Sequence, residues 1–216
     1  ADACNDMDAL TKHFEEESLA DAEPIEKEAD IVVVGAGGSG MFAAISASKS
    51  GKSVIVLEKM ATVGGATAIS GGTLVDTGSD FQKENNPSDS TEILKQDLLA
   101  AGHNYSDPEV LDLWMNNVGE TFQYFIDKGI EFNGPRHLAE HTVDRAYNAV
   151  DGTPALISAI KGDFDNSGAE LMLNTKADKL IQSEDGTVTG VMAYDTTNQQ
   201  KYEIKADAVI LATGGY

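Results

Sequence analysis

The run Ile31-Val32-Val33-Val34 passes without a break into Gly35-Ala36-Gly37-Gly38-Ser39-Gly40, and that junction constrains the fold more than any other feature. A continuous β-branched run bounded by glycine reads as a strand buried on both faces, as in a parallel sheet. Residues 41–50 read as a helix carrying small side chains, Gly51-Lys52 closes it, and Val54-Ile55-Val56-Leu57 is a second buried strand. Together they form one β-α-β unit with a right-handed crossover. Its hexapeptide matches G-x-G-x-x-G, and Glu58 lies 18 residues past Gly40 at the end of the second strand. That is the setting of a dinucleotide fingerprint. Gly35 permits the tight turn, Gly37 lets the backbone approach a pyrophosphate, and Gly40 lets the helix pack close to the sheet. The helix start offers N–H groups and about half a positive charge to phosphates. Glu58 is placed to accept hydrogen bonds from both ribose hydroxyls and to repel a 2′-phosphate.

Composition narrows the class. The 216 residues fit one ordinary domain with a small appendage, and 41% apolar content supports a packed core. No apolar run is long enough to cross a bilayer. The single cysteine, Cys4, excludes an internal disulfide framework and any Cys-rich metal site. With 36 acidic and 15 basic residues the net charge is −21, which disfavours nucleic acid or anionic lipid as a partner. Residues 1–30 hold 11 acids and two lysines, or −9. Residues 1–29 are therefore expected to be an acidic linker or loosely attached extension, in which Leu10, Phe14 and Leu19 allow a short docked helix. Ala1 follows no methionine and no visible signal sequence, which reads as a processed or excised chain.

The folded part is expected from Asp30 onward. Residues 61–80 are rich in Gly, Ser and Thr without a period, a length of irregular chain that usually has a functional reason. A helix is expected over residues 89–101, with Asp89 and Glu92 as a capping box. A second starts after Asp107 with Pro108 in its first turn. Its apolar positions Val110, Leu111, Trp114, Val118, Phe122, Phe125 and Ile126 read as core, and Tyr105, Tyr124 and Tyr147 as half-buried packing. Beyond a candidate strand at 171–173, segments 179–182, 187–194 and 201–205 read as a three-stranded antiparallel β-meander. A fully buried strand at Ala208–Ala212 then leads into Thr213-Gly214-Gly215.

A second glycine-rich segment, Val63–Gly72, follows Glu58. It is either backbone approaching an extended ligand or a flexible surface loop. With it the pattern becomes familiar. Asp30–Gly40, Glu58-Lys59, Gly64–Gly72 and Ala212–Gly215, in this order, resemble the FAD-binding domain of the fumarate reductase/succinate dehydrogenase flavoprotein family. The resemblance is to its soluble branch of flavocytochrome c fumarate reductases and urocanate reductases, and it covers about residues 30–216.

The resemblance implies an α/β fold: a Rossmann-like FAD-binding domain of glutathione-reductase type, with a parallel sheet, helices and the β-meander. It implies that Gly35, Ala36, Gly37, Gly38, Ser39 and Gly40 hold the pyrophosphate, with Glu58 and Lys59 at the adenosine ribose. Gly64, Gly65, Ala66, Thr67, Ser70, Gly71 and Gly72 run along the pyrophosphate and flavin. Ala177 lies beside the adenine, and Ala212, Thr213, Gly214 and Gly215 close over the adenosine half. No histidine stands in the second glycine-rich segment, where succinate dehydrogenases attach their flavin, so noncovalent FAD is expected. The family's capping domain, with its proton-donating Arg, follows the Thr-Gly-Gly turn in relatives and is absent from these residues. The chain is thus expected to be the first part of a flavoprotein.

Both arginines, Arg136 and Arg145, and two of the four histidines, His137 and His141, fall within ten residues. In relatives this stretch passes beside the flavin and substrate, where an Arg is followed by a His. Val143-Asp144-Arg145 fits, but Ala146-Tyr147-Asn148 stands where the His is usual, which leaves room for an acid other than fumarate, such as urocanate. Arg145, His141 and Arg136 are the candidates near the flavin. The alternative is a solvated basic loop, and no metal is expected from the two histidines.

The implied function is flavin-dependent reduction of a C=C bond conjugated to a carboxylate, with hydride from flavin N5 and a proton donor outside this chain. The implied partners are a small unsaturated carboxylate and an FMN or haem electron-donor domain. Export is favoured over the cytoplasm. Two alternatives stay open: a noncatalytic FAD- or nucleotide-binding module or half of a split flavoenzyme, and a 3-ketosteroid dehydrogenase-like flavoenzyme.

Overall fold

The computed structural model describes residues 23–215; the expectations for residues 1–22 lie outside the described residues. The described chain divides into two compact units, one made of residues 23–66 with 160–215 and the other of Thr67–Ala159.

The first unit holds β1 (Ile25–Val34), α1 (Gly38–Lys49) and β2 (Val54–Leu57). After a single helical turn α2 (Gly65–Ala68), the chain forms the second unit. That unit contains β3 (Thr73–Val75), α3 (Asp80–Asn85), α4 (Thr91–Ala101), α5 (Pro108–Asp127), β4 (Phe132–Arg136) and β5 (Ala146–Ala149). Then come α6 (Gly152–Asp165), β6 (Glu170–Met172), β7 (Thr175–Gln182), β8 (Val188–Asp195) and β9 (Gln200–Leu211).

The first unit's sheet has six strands in the order β6-β2-β1-β9-β8-β7. Strands β6, β2, β1 and β9 run parallel, while β9-β8-β7 is the antiparallel meander. The all-apolar β2 is buried along its whole length, as expected for a strand inside a parallel sheet. Ala29, Val32, Val34, Ile55, Leu57, Val191, Ala193 and Ile204 form the core of this unit.

Three expectations change. Strand β1 begins at Ile25, because Ile25–Ala29 pairs with Tyr202–Ala206. Backbone bonding is indifferent to the alternating charges of Glu26-Lys27-Glu28, which had read as linker. The third meander strand and the last strand are one continuous β9. Gln200–Lys205 pairs with β8, and Tyr202–Leu211 borders β1. Its end is not fully buried, and Leu211 is 63% exposed.

The second unit sets its helices against a three-stranded antiparallel sheet, β3-β5-β4. These strands were not foreseen: they have three to five residues, too few to show a period, and β4 contains Gly134 and Pro135. The buried stripe of α5 is Leu111, Met115, Val118, Phe122 and Phe125. Val110 at 64% exposed and Trp114 at 41% exposed lie outside it. Phe122 meets Phe81, Phe132 and Tyr147 with ring centroids 4.5–5.5 Å apart. Tyr147 is therefore fully buried rather than half-buried, whereas Tyr105 is 91% exposed and only Tyr124 fits the expectation.

Helix α5 starts after Asp107 as expected, and Asp107 caps it, accepting from Glu109 N and Val110 N at 2.9 and 3.2 Å. An Asp107→Ala chain should lose about 1 kcal/mol of stability in urea unfolding. The cap of α4 is Ser90, accepting from Ile93 N at 3.3 Å, and not Asp89. Asp89 is committed elsewhere, as described below.

Candidate cofactor site

At the carboxyl end of β1 the chain turns on Gly35, whose φ is +104°. The turn is held to both neighbouring strands: Gly35 N donates to Leu57 O at 2.7 Å, and Ala212 N donates to Val34 O at 2.8 Å. Nothing larger than glycine fits at either end of the hexapeptide. A Cβ on Gly35 would lie 2.4 Å from Ala212 O, and one on Gly40 would lie 1.9 Å from Gly35 O. Gly37 is the N-cap of α1, with no side-chain cap and no acid in the first turn. The positive end of the helix dipole thus meets no acid of its own first turn.

The second glycine-rich segment comes to the same place. Gly64 N donates to Ala36 O at 2.8 Å, and Gly37 and Gly64 form a parallel bridge. Glu58 lies beneath this contact, almost fully buried. Its Oε2 accepts from Ala36 N and its Oε1 from Met60 N, both at 2.8 Å. An ionised carboxylate has about four acceptor positions, so these bonds fix its orientation and leave capacity for a ligand's hydroxyls. The backbone around it is tied to the β6–β7 corner, with Thr175 N donating to Glu58 O at 2.8 Å and Asn174 N to Met60 O at 3.0 Å.

These segments line a cavity of about 270 Å³ bounded by Gly35, Gly37, Glu58, Lys59, Gly65, Ala66, Ala177 and Ala212–Gly214. The sequence reading missed Met60, Thr175 and Lys176, which share this wall. The only signal for them was the β6–β7 corner, whose Asn174 takes a positive φ of +52°. Pockets for whole drug-sized ligands measure ~300–1,000 Å³, so the cavity suits one half of an extended cofactor. A larger groove of about 730 Å³ lies by the amino-terminal part of β1, against Glu28, Asp30, Glu203 and Asp207. Ligands of open α/β sheets bind at the carboxyl ends of the strands, and these acids would repel a diphosphate.

Thr67, Ser70, Gly71 and Gly72 belong to the second unit. There the Ser70 hydroxyl donates to Thr67 O at 2.9 Å, and Gly72 O accepts from Ala149 N at 3.2 Å.

The 136–145 segment is solvated over much of its length but not at its end. Arg145 is 0% exposed. Its Nε and Nη2 donate to the two oxygens of Asp89 at 2.7 and 2.9 Å, and its Nη1 donates to Asp97 at 2.5 Å. The same Nη1 is 2.9 Å from His141 Nδ1, which accepts because a guanidinium only donates. Burial pushes the Asp97 carboxyl up, but the Thr142 N–H, Arg145 and the Thr142 hydroxyl outweigh it and hold Asp97 below the usual range. Burial, then the charge of Arg145, lowers His141 despite Asp97 and Asp89, so its imidazole is neutral at pH 7. The guanidinium that was expected beside the flavin has its donors committed inside the second unit. Arg136 stays exposed and bonds Thr73 Oγ1 at 2.8 Å and Asn148 Oδ1. His137 pairs with Asp144 at 3.1 Å on the surface.

A parallel α/β sheet, an uncapped helix start behind a glycine turn, and a buried carboxylate at the next strand end define a dinucleotide-binding protein. The chain belongs to the FAD binding domain family, whose description matches residues 30–216. It is 34% identical over 198 residues to the urocanate reductase of Eggerthella lenta, covering 90% of this chain and 33% of that protein. It is 30% identical over 210 residues to the fumarate reductase (cytochrome) of Shewanella frigidimarina, covering 96% of this chain and 37% of that one. Among solved structures, the open conformation of a flavocytochrome c3 fumarate reductase superposes with a TM-score of 0.81 at 26% identity, over 94% of this chain and 36% of that chain. The 3-ketosteroid-Δ4-(5α)-dehydrogenase of Rhodococcus jostii RHA1 shares the fold, with a TM-score of 0.76 at 24% identity over 91% of this chain and 47% of that one. The chain spans about a third of the length of the two reductases.

Proposed function

We propose that this chain is the FAD-holding part of a flavin-dependent reductase of C=C bonds conjugated to a carboxylate. The observation that carries the reading is the meeting of the first glycine turn, the Gly64–Gly65 backbone and the Ala212–Gly214 corner around one cavity, with Glu58 in its wall. The residues present fit FAD, since the cradle admits no Cβ at Gly35 or Gly40 and the start of α1 carries no side-chain cap. Bound FAD supplies hydride transfer.

In this reading the amides of the Gly35–Gly40 turn and the start of α1 take the diphosphate, and Glu58 and Lys59 meet the adenosine ribose. Ala177 and Ala212–Gly215 enclose the adenosine half, while Gly64, Gly65 and Ala66 follow the pyrophosphate. FAD is held noncovalently, because Val63–Gly72 offers no histidine. The substrate is a small unsaturated carboxylate, as the names of the urocanate and fumarate reductases suggest. The proton donor lies outside these residues, electrons arrive from a haem or FMN domain, and the protein works on the exported side.

A Glu58→Ala chain should bind FAD at least tenfold more weakly, about 1.4 kcal/mol, by flavin fluorescence titration. Unchanged affinity would remove Glu58 from the site. For the reaction, FAD on the full-length polypeptide is reduced anaerobically and mixed with fumarate, urocanate or acrylate. Reoxidation by one of these, and not by its saturated counterpart, is expected. Stable FAD binding without reoxidation by any of them would favour a noncatalytic module.

A further inference from the structure

The second unit buries three carboxyl groups, Asp76, Asp89 and Asp97, but one guanidinium. Arg145 is already paired with Asp89 and Asp97. Asp76 has neither an exposed surface nor a cationic partner among the described residues. Its Oδ2 accepts from the Ser79 hydroxyl at 2.6 Å, and its Oδ1 has no protein partner. Asp76 N donates to Arg145 O at 3.2 Å, which extends the β3–β5 pairing by one step. Alternation then puts Asp76 on the same sheet face as Arg145 and Tyr147. The hydroxyl of Tyr147 is also buried without a protein partner.

The groups that face Asp76 are Ser79 on its own turn, Asp89 before α4, and Arg145 and Tyr147 on and beside β5. Beyond them, Asp97 and His141 sit on the far side of the guanidinium. Helix α5 closes the site, packed so tightly on the turn that a Cβ at Gly119 would lie 2.6 Å from Ser79 N. A second uncompensated anion here is costly, and a proton is the smallest group that removes it.

We propose that Asp76 is a proton-operated latch of the second unit: the neutral carboxyl keeps the Asp76–Ser79 turn seated against α5, and ionisation loosens it. The proton passes to bulk water when the latch opens. Burial first, and the neighbouring charge of Asp89 last, push this carboxyl up to about 6, against the two bonds from Ser79. A carboxyl raised in the folded state binds its proton more tightly there than when unfolded. Its contribution to stability is complete below the unfolded value of 3.8 and is lost as pH rises through about 6. His141 works in the opposite sense, since its folded value is lowered. The comparison of wild type with Asp76→Asn cancels that effect, because the variant keeps His141.

The test follows unfolding of the 216-residue chain between pH 5 and 7.5 by the fluorescence of Trp114, its only tryptophan, on α5. The wild-type midpoint should fall relative to that of Asp76→Asn, by roughly 3–5 °C across this range. Parallel curves would overturn the proposal. Should the variant fail to fold, the side-chain carboxyl carbon of Asp76 in the wild-type chain, followed by NMR, decides. A titration midpoint near 6 supports the latch, and one at or below about 4, the ordinary value for Asp, contradicts it.

Discussion

Replacing Arg145 by methionine will cost the second unit about 3–5 kcal/mol, because it leaves two buried carboxylates without their cation. Asp89 and Asp97 have almost no exposed side chain and take three charge-assisted hydrogen bonds from this one guanidinium. The segments they join are far apart in sequence: the loop before α4, α4 itself, and the chain entering β5. Trp114 fluorescence in a urea titration reads the loss directly. Adding Asp89→Asn and Asp97→Asn to Arg145→Met should recover a large part of it, since neither of these two side chains is then left as a charge without its cation. A single-variant loss below about 1 kcal/mol, the range of an exposed ion pair, would show that Arg145 is not the pin of this unit. Acid should act in the same direction. Asp97 is held below its ordinary value, so its contribution is complete above that value and disappears as pH falls through the folded one.

The second large effect belongs to the cofactor cradle. A Gly40→Ala chain places a methyl group 1.9 Å from Gly35 O, a distance no rotamer relieves. Either α1 moves off the sheet or the turn opens, and in both cases the amides no longer converge. FAD affinity should fall more than 100-fold, about 2.7 kcal/mol. Gly162→Ala is the control. A Cβ there meets nothing within 4 Å inside α6, so FAD binding stays unchanged and stability rises by up to about 1 kcal/mol. Equal loss of binding in both variants would point to general destabilisation instead of a closed cradle.

The cradle could be read from the sequence because each of its parts has a local signature. A β-branched run, a fixed glycine spacing and an acid at the next strand end are all short-range features. The second unit resisted the same reading for physical reasons. Its strands are too short for a period, and one includes Gly134 and Pro135. The stripe of α5 was taken to include Val110 and Trp114, although the buried face turns toward Met115 and Gly119 instead. Asp89 shows how a local rule loses to a distant partner. Its spacing from Glu92 suits a capping box, but its carboxylate is drawn to a guanidinium 56 residues away, and Ser90 takes over the cap. Ile25–Ala29 failed the other way: a charged stretch is a strand because β9 offers its backbone.

Titration of FAD into the 216-residue chain, with ADP as competitor, tests the central claim most directly. The wall from Glu58 to the Ala212–Gly214 corner is complete within the first unit. The account therefore predicts saturable binding of one FAD per chain and its displacement by excess ADP. FAD binding that ADP does not displace, or no saturable binding at all, would contradict it.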